Sequence, residues 1–180
     1  MKRAFLAINP PPEVKETLFL KTLLLKEDFR KGAVKWVEKE NIHLTLLFLG
    51  LIKETKKIEE NLSQINFNPF EINLSRISYF PEDRRKARMI WARGEEIEEL
   101  TSLFKKVKEK TGRSQEDFTL HITLARLKTW EMKKTPLEEI PYIEEDLDIQ
   151  FPVTSFELME SKLKKEGPEY KVIKSFSAKT

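Results

Sequence analysis

The sequence contains only two histidines, and each one begins a tetrad of the form His-apolar-Thr-Leu. The first tetrad is His43-Leu44-Thr45-Leu46 and the second is His121-Ile122-Thr123-Leu124, so they begin 78 residues apart (121 minus 43). With 12 Thr and 22 Leu in the chain, a random second histidine would repeat the Thr and the Leu about once in a hundred trials. The repeat therefore predicts two equivalent structural segments with a shared role.

Both tetrads lie in runs rich in leucine, isoleucine and threonine, which predicts that each one is part of a β-strand. Side chains alternate between the two faces of a strand, so residues two positions apart share a face at a spacing of about 6.6 Å. His43 is therefore expected beside Thr45, and His121 beside Thr123. The opposite faces are predicted to point into the core and to carry these residues: Ile42, Leu44, Leu46, Phe48, Leu120, Ile122 and Leu124.

Two histidine–threonine pairs that face each other suit displacement at a phosphodiester. One imidazole can remove a proton from the nucleophile while the other protonates the departing oxygen, because an unperturbed histidine has a pKa of about 6.5. The threonine hydroxyls can bind the non-bridging oxygens, where negative charge gathers in the transition state. A single histidine in an apolar strand is more often a packed core residue. Repetition of the whole tetrad favours the catalytic interpretation for His43 and His121.

Composition narrows the class of protein. The chain has no cysteine, which excludes disulfides and thiolate metal sites and fits a reducing cytoplasm. Hydroxyls rather than carboxylates accompany the histidines, so no metal and no cofactor is expected. The apolar run near the N-terminus ends at three prolines, so no signal peptide or membrane segment is expected. A net charge of +3 argues against an extensive basic surface for nucleic acid, and 35% charged residues, mostly Lys and Glu, are typical of heat-adapted proteins.

Hydrophobic periodicity predicts the remaining elements. The first strand, over residues 2–9, is expected to place Phe5 and Ala7 on one face. The apolar stripe of the first helix, over 13–29, is predicted to comprise these residues: Val14, Leu18, Leu20, Leu24 and Leu25. The other expected segments are strands over 34–38 and 69–80, helices over 54–65 and 95–110, a loop over 111–117 after Gly112 ends its helix, an acidic connection over 127–148, and two C-terminal strands.

Each half of the chain contains a predicted strand, a helix, further strands and a histidine tetrad. We therefore predict an α+β fold of two similar lobes, each an antiparallel sheet with helices, related by a pseudo-two-fold axis around a central cleft. Residues 1–180 are expected to form a single bilobal domain. The sequence leaves open whether the C-terminal strands join the second lobe or cross over to the first.

The densest basic cluster of the chain lies between residues 84 and 93 and comprises Arg84, Arg85, Lys86, Arg88 and Arg93. One interpretation is a solvated turn followed by a strand with a charged outer face. The other is a rim that attracts RNA phosphates, with arginines that position the backbone without reading its sequence. The sequence does not decide between these two roles.

The chain resembles the two-histidine (2H) phosphoesterases, and within them the RNA 2′,3′-cyclic phosphodiesterases, historically called 2′-5′ RNA ligases. The resemblance extends almost from end to end and includes RAFLAINPP, VKWVEKENIHLTLLFLG, the FP and MIWARG segments, DFTLHITLARLK and ELMESKLKKEGPEYKVIKSF. It implies a cytoplasmic enzyme, expected to be a monomer, that opens a 2′,3′-cyclic phosphate at the end of RNA, such as a tRNA fragment, to a 2′-phosphate. No metal is implied.

The same resemblance implies roles for individual residues. His43 matches the proton donor that protonates the leaving 3′ oxygen, and His121 matches the proton acceptor that activates water. Thr45 and Thr123 match the hydroxyls that bind the phosphate.

Three residues outside the tetrads match substrate-binding positions of the family. Arg126 occupies a position for nucleotide or phosphate contact, and Tyr170 lies in the GP-x-Y phrase near the groove. Phe5, on the first strand, is either a contact for the bound base or a packed core residue. Strict alternation places Arg126 on the face opposite His121, so we expect the strand to bulge or end before Arg126.

Two other functions fit the same tetrads. The first is the reverse reaction, in which RNA ends are joined through a 2′-5′ linkage without a nucleotide energy source. The second is an RNA- or nucleotide-binding module that retains the fold and no longer turns over. Two intact tetrads argue against the binding module, because a pure binder has no need of both imidazoles.

Overall fold

The computed structural model describes residues 1–114, 118–165 and 167–179. Its elements in chain order are β1 (Lys2–Ile8), α1 (Pro12–Glu27), β2 (Val34–Trp36), β3 (Leu44–Ile52), α2 (Lys56–Leu62), β4 (Phe70–Phe80), β5 (Met89–Arg93), α3 (Glu98–Thr111), β6 (His121–Leu127), α4 (Thr129–Lys134), β7 (Glu144–Val153), β8 (Ser155–Leu163) and β9 (Pro168–Ser177). The predicted loop over 111–117 lies partly outside the described residues.

An antiparallel sheet joins the strands in the order β7-β4-β5-β6-β3-β1-β8-β9, and β2 pairs with β6. The tetrad strands β3 and β6 lie side by side at its centre, where Leu44 is opposite Ile122. On one side of this contact β3 is followed by β1, β8 and β9, and on the other β6 is followed by β5, β4 and β7. The C-terminal strands therefore cross over to the half that contains His43. The predicted α+β class with antiparallel pairing is confirmed.

The side chains of β3 exchange faces of the sheet directly after the first tetrad. A register shift between Leu6 and Ala7 in its pairing with β1 adds one residue to β3, so Leu46 and Leu47 are both buried. Because a bulge exchanges the faces of the residues that follow it, Phe48 points outward and is 63% exposed. The prediction that Phe48 faces the core is therefore wrong. The predictions for the other core-facing residues are correct: Ile42, Leu44, Leu46, Leu120, Ile122 and Leu124 are buried.

The main apolar core lies on the face of the sheet opposite the histidine side chains. It contains Leu44 and Ile122 together with residues from all four helices. Helix α3 contributes the apolar side predicted for it, with Leu100, Leu103, Phe104 and Val107 buried, and ends at Gly112, whose φ of 64° is the left-handed conformation of a helix C-cap. No helix within the described ranges is long and apolar enough to span a membrane.

Two predictions for secondary structure need correction. The buried side of α1 consists of Val14, Leu18 and Thr22, spaced four residues apart, whereas Leu20 and Leu24 lie off this side and are exposed. The predicted connection over 127–148 contains α4 and the first residues of β7. Periodicity does not predict β7 because its acidic side chains obscure the pattern of a strand. These side chains are compatible with an edge position in the sheet, where one side of the strand is solvated.

Candidate active site

The sheet brings the two tetrads together on one face. The pairing of Leu44 with Ile122 aligns β3 and β6 in opposite directions, so the tetrads run past each other. The two imidazoles are close enough for the charge of His121 to lower the pKa of His43. This arrangement places His43, Thr45, His121 and Thr123 on adjacent strands, half-buried, on one face of the sheet.

Hydrogen bonds orient the ring of His43. Its Nδ1 lies 2.6 Å from the carbonyl oxygen of Asn41, and its Nε2 lies 3.0 Å from Oγ1 of Thr45. In the neutral ring Nδ1–H donates to the carbonyl, so Nε2 accepts a hydrogen bond from the threonine hydroxyl. Burial lowers the pKa of His43 to about 4; the Asn41 carbonyl opposes this shift, while the positive charges of Lys15, His121 and Arg126 add to it.

His121 has the same backbone anchor and a different ring environment. Its Nδ1 lies 2.8 Å from the carbonyl oxygen of Thr119. Thr119 is two residues before His121, just as Asn41 is two residues before His43. Its ring stacks on the indole of Trp91 with 3.8 Å between centroids, and Trp91 stacks on Phe80 at 3.6 Å. Burial lowers the pKa of His121, and the carbonyl of Thr119 opposes that shift. In both rings the anchor leaves Nε2 as the atom available for proton transfer.

A small aromatic cluster supports His43 from the side of β1. The ring of Phe5 lies 5.0 Å from the rings of both His43 and Tyr170, and Tyr170 lies edge-on to His43 at 5.1 Å. Phe5 is 3% exposed and packs with Ala7 and Met159 outside the main core. Its position therefore fits packing beneath the site better than contact with a base. Tyr170 is half-buried, and burial raises the pKa of its hydroxyl.

Arg126 lies on the same face as the tetrads because β6 contains a bulge. A register shift between Ile90 and Trp91 in its pairing with β5 leaves Leu124 and Ala125 both buried. The residues after the bulge therefore exchange faces, and the side chain of Arg126 is exposed. Its positive charge lowers the pKa of both histidines and opposes the rise at Tyr170. The bulge expected before this residue is therefore present.

A buried polar network beside His43 was not predicted from the sequence. Lys15 donates to Oδ1 of Asn9 and to the carbonyl of Glu40, both at 3.2 Å, and Asn9 donates to Glu157 at 3.2 Å. Glu157 is buried and also accepts hydrogen bonds from the hydroxyls of two serines, Ser155 and Ser175. These residues come from separate elements without a shared motif, so no local pattern could have identified them.

The basic cluster over residues 84–93 divides into two groups. Arg84 donates to the carbonyl of Ile140 at 2.9 Å, and Arg85 donates to the carbonyl of Thr135 at 2.7 Å. These two arginines fix the segment before β7, as the interpretation of a structural turn requires. Arg93 instead lies on β5 opposite His121 and forms an ion pair with Glu82.

The donor set of the site consists of imidazole rings and hydroxyls. Within the described residues, no group of three or more His, Asp or Glu side chains is placed to hold a metal ion. The site therefore offers two proton carriers, two hydroxyl donors and one guanidinium on one face of the sheet.

Comparison with known proteins gives a consistent result. The sequence matches the family described as LigT like Phosphoesterase over residues 8–91 and 93–170, one match for each tetrad. A relative from Archaeoglobus fulgidus, named RNA 2′,3′-cyclic phosphodiesterase, is 35% identical over 182 residues, which cover 97% of this chain and 99% of the relative. A relative of the same name from Methanocaldococcus jannaschii is 32% identical and covers 97% of this chain and 99% of its own length.

Solved structures agree with this result. A Thermus thermophilus protein of 29% identity superposes with a TM-score of 0.77 over 97% of both chains. Escherichia coli LigT complexed with 3′-AMP, at 21% identity, has the same fold, with a TM-score of 0.79 over 99% of both chains. Because the family match covers most of the chain and the curated relatives align almost end to end, this chain belongs to the LigT-like phosphoesterase family.

Proposed function

We propose that this protein hydrolyses the 2′,3′-cyclic phosphate at the end of RNA to a 2′-phosphate by general acid–base catalysis between its two histidines, without a metal ion. The observation that carries the proposal is that both rings are held through Nδ1 by a backbone carbonyl, with Nε2 left for proton transfer. The names of the curated relatives support the choice of substrate. A module that only binds RNA would not need two rings anchored in this way.

In this mechanism the two histidines divide the proton transfers. Nε2 of His121 takes a proton from water as the water oxygen bonds to phosphorus, and Nε2 of His43 gives its proton to the 3′ oxygen as the P–O3′ bond breaks. Thr45, Thr123 and Arg126 donate hydrogen bonds to the non-bridging oxygens, where charge increases in the transition state. The exchange of protons with solvent then restores both rings.

The proton donor role of His43 requires a change in its pKa on substrate binding. With a pKa of about 4 in the free protein, the ring is almost entirely neutral at pH 7. The cyclic phosphate carries a negative charge, and an opposite charge within a few ångströms favours the protonated imidazole. The mechanism therefore couples binding of the phosphate to protonation of the donor.

The test is identification of the product from a short RNA that ends in a cyclic phosphate, with excess chelator present. We expect a 2′-phosphate, separated from the 3′ isomer by chromatography, and losses of about 10² to 10⁴ in kcat for His43→Ala and for His121→Ala. Lys57→Gln, which removes a charge from α2 on the core side of the sheet, is the control and should leave the rate unchanged. A 3′-phosphate product would reverse the leaving oxygen, and loss of activity in chelator would contradict the metal-free mechanism.

A further inference from the structure

The face of the sheet that carries the tetrads has two sides of different chemistry. The side formed by β1, β8 and β9, here called the aromatic side, carries Tyr170, which is half-buried and packs against the buried Phe5 and Met159. The side formed by β4 and β5, here called the arginine side, presents Arg76, Ser78, Trp91 and Arg93. Arg93 is opposite His121 across the β5–β6 ladder, and Arg76 is opposite Arg93 across the β4–β5 ladder. The arginine side therefore begins next to His121.

The arginine side contains a cavity of about 130 Å³. That volume corresponds to about four water molecules at about 30 Å³ each. Its lining includes Arg76, Ser78 and Arg93, together with Glu82 and Glu144. The cavity is therefore large enough for a phosphate group.

Two residues that line this cavity have buried polar atoms without partners. Within the described part of the chain, Oγ of Ser78 and Nε of Arg93 make no hydrogen bond, and neither does Nε1 of the adjacent Trp91. Ser78 is only 7% exposed and lines the cavity. Since buried polar groups in folded proteins almost always have a partner, this concentration of unpaired groups points to a ligand.

The charges around the cavity favour an anion. Arg76, Arg84 and Arg93 line it, against the two carboxylates of Glu82 and Glu144. Glu82 is an exposed residue of the turn after β4, and its carboxylate contacts the guanidinium of Arg93 and lies 3.8 Å from that of Arg76. Glu144 accepts a hydrogen bond from the hydroxyl of Tyr142 instead. The carboxylate of Glu82 thus occupies the place of an exchangeable anion between two arginines.

We propose that this cavity binds the internal phosphodiester of RNA next to the reacting nucleotide, in exchange for the carboxylate of Glu82. The proposal rests on the proposed function, which places the terminal phosphate between the tetrads. Any RNA longer than one nucleotide then carries a second phosphate one nucleotide away. Arg76 and Arg93 offer that phosphate charge-assisted hydrogen bonds beside His121, whereas the aromatic side suits a base.

The test measures binding without turnover. The probes are adenosine 2′-phosphate and two ApA dinucleotides with a terminal 2′-phosphate, one with a normal internal phosphodiester and one with an uncharged methylphosphonate in its place. Wild-type protein should bind the charged dinucleotide about tenfold more tightly than the neutral one, equal to about 1.4 kcal/mol. Arg76→Gln should abolish this preference, and the salt dependence of binding of the charged dinucleotide should become shallower by about 0.7 in log–log slope.

Further variants separate the site from general effects of charge. Ser78→Ala should weaken binding of the charged dinucleotide about threefold, and Glu82→Gln should strengthen it, because the competing carboxylate is lost. Lys57→Gln on α2 removes a charge on the core side of the sheet and should change none of the three affinities. Equal binding of the two dinucleotides by wild-type protein would overturn the proposal, as would an Arg76→Gln variant that retains the preference. Failure of the proposed function would instead appear as absence of hydrolysis. The affinities measured here do not depend on hydrolysis, so the two failures can be distinguished.

Discussion

His43 and His121 share one hydrogen-bond geometry and differ in their aromatic neighbours. Both rings anchor Nδ1 on the carbonyl of the residue two positions earlier. Tyr170 meets His43 edge-on, whereas Trp91 presents its face to His121. The face of an indole stabilises a cation that lies over it, so protonated His121 gains an interaction that His43 lacks. This difference suits the role of proton acceptor that we propose for His121.

The first prediction concerns the pKa values of the two histidines. Because the chain has no others, two imidazole signals will be seen in an NMR titration and can be assigned with His43→Gln. We expect a pKa of about 4 for His43 in the free protein and a value below the usual 6.5 for His121. Bound adenosine 2′-phosphate should raise the pKa of His43 by about one unit or more, because the phosphate charge favours imidazolium. A free His43 that titrates near 6.5 would contradict the described burial.

The second prediction concerns the stack beneath His121. Trp91→Leu removes the aromatic face and should lower kcat about tenfold, with a smaller change in KM, because His121, the proposed base, is no longer held in line. Trp91→Phe retains an aromatic face and is the matched control, with a rate close to that of the wild type. Equal rates for the leucine and phenylalanine variants would show that the stack is only packing.

At the scale of elements, the two bulges determine which side chains lie on the same face as the tetrads. Each bulge follows its tetrad directly, and each turns the next polar or aromatic position outward, Phe48 on β3 and Arg126 on β6. Without the bulge in β6, Arg126 would point into the core with Leu124. The repeat therefore includes a backbone irregularity as well as four side chains.

The third prediction concerns the junction of β4 and β5, which supports Trp91 and Arg93. A Cβ atom at Gly94 would lie 1.8 Å from the carbonyl oxygen of Asn73 on β4, and a backbone atom cannot move aside as a flexible side chain can. Gly94→Ala should therefore lower the free energy of unfolding by about 3 kcal/mol, measured by urea denaturation. Gly50→Ala, at a φ of 68° with open space around it, should cost only about 1 kcal/mol. Similar losses at both glycines would contradict the close approach at Gly94.

The sequence predicted the features that depend on local periodicity. The tetrad strands, the facing of Phe5 and Ala7 in β1 and the inward side of α3 followed from the spacing of apolar residues. The features it missed depend on tertiary structure. Alternation alone contains no bulge and therefore predicts a core position for Phe48. Glu144 and its acidic neighbours hide the pattern of an edge strand, so periodicity does not predict β7. The Lys15–Asn9–Glu157 network required strand order, which periodicity does not determine.

At the scale of the whole molecule, the site depends on a narrow contact between two halves of the sheet. Within the described residues, Leu44 and Ile122 are the one registered pair between β3 and β6, and both are fully buried. Each half carries one histidine and one threonine of the site. The distance between the two Nε2 atoms therefore depends on how these two side chains pack against the helices of the core.

The fourth prediction tests this dependence. Leu44→Ala should destabilise the protein by about 2 to 5 kcal/mol, as removal of a buried leucine side chain does. It should also lower kcat, because the two halves shift relative to each other around a phosphate that both contact in the proposed mechanism. Leu62→Ala in α2 is the matched control, since Leu62 is equally buried and lies away from the β3–β6 contact. It should lose similar stability and retain kcat when both variants are assayed well below their melting temperatures. If both variants retained full kcat, the alignment of the histidines would not depend on this contact, and the strands outside it would have to hold the two rings in place.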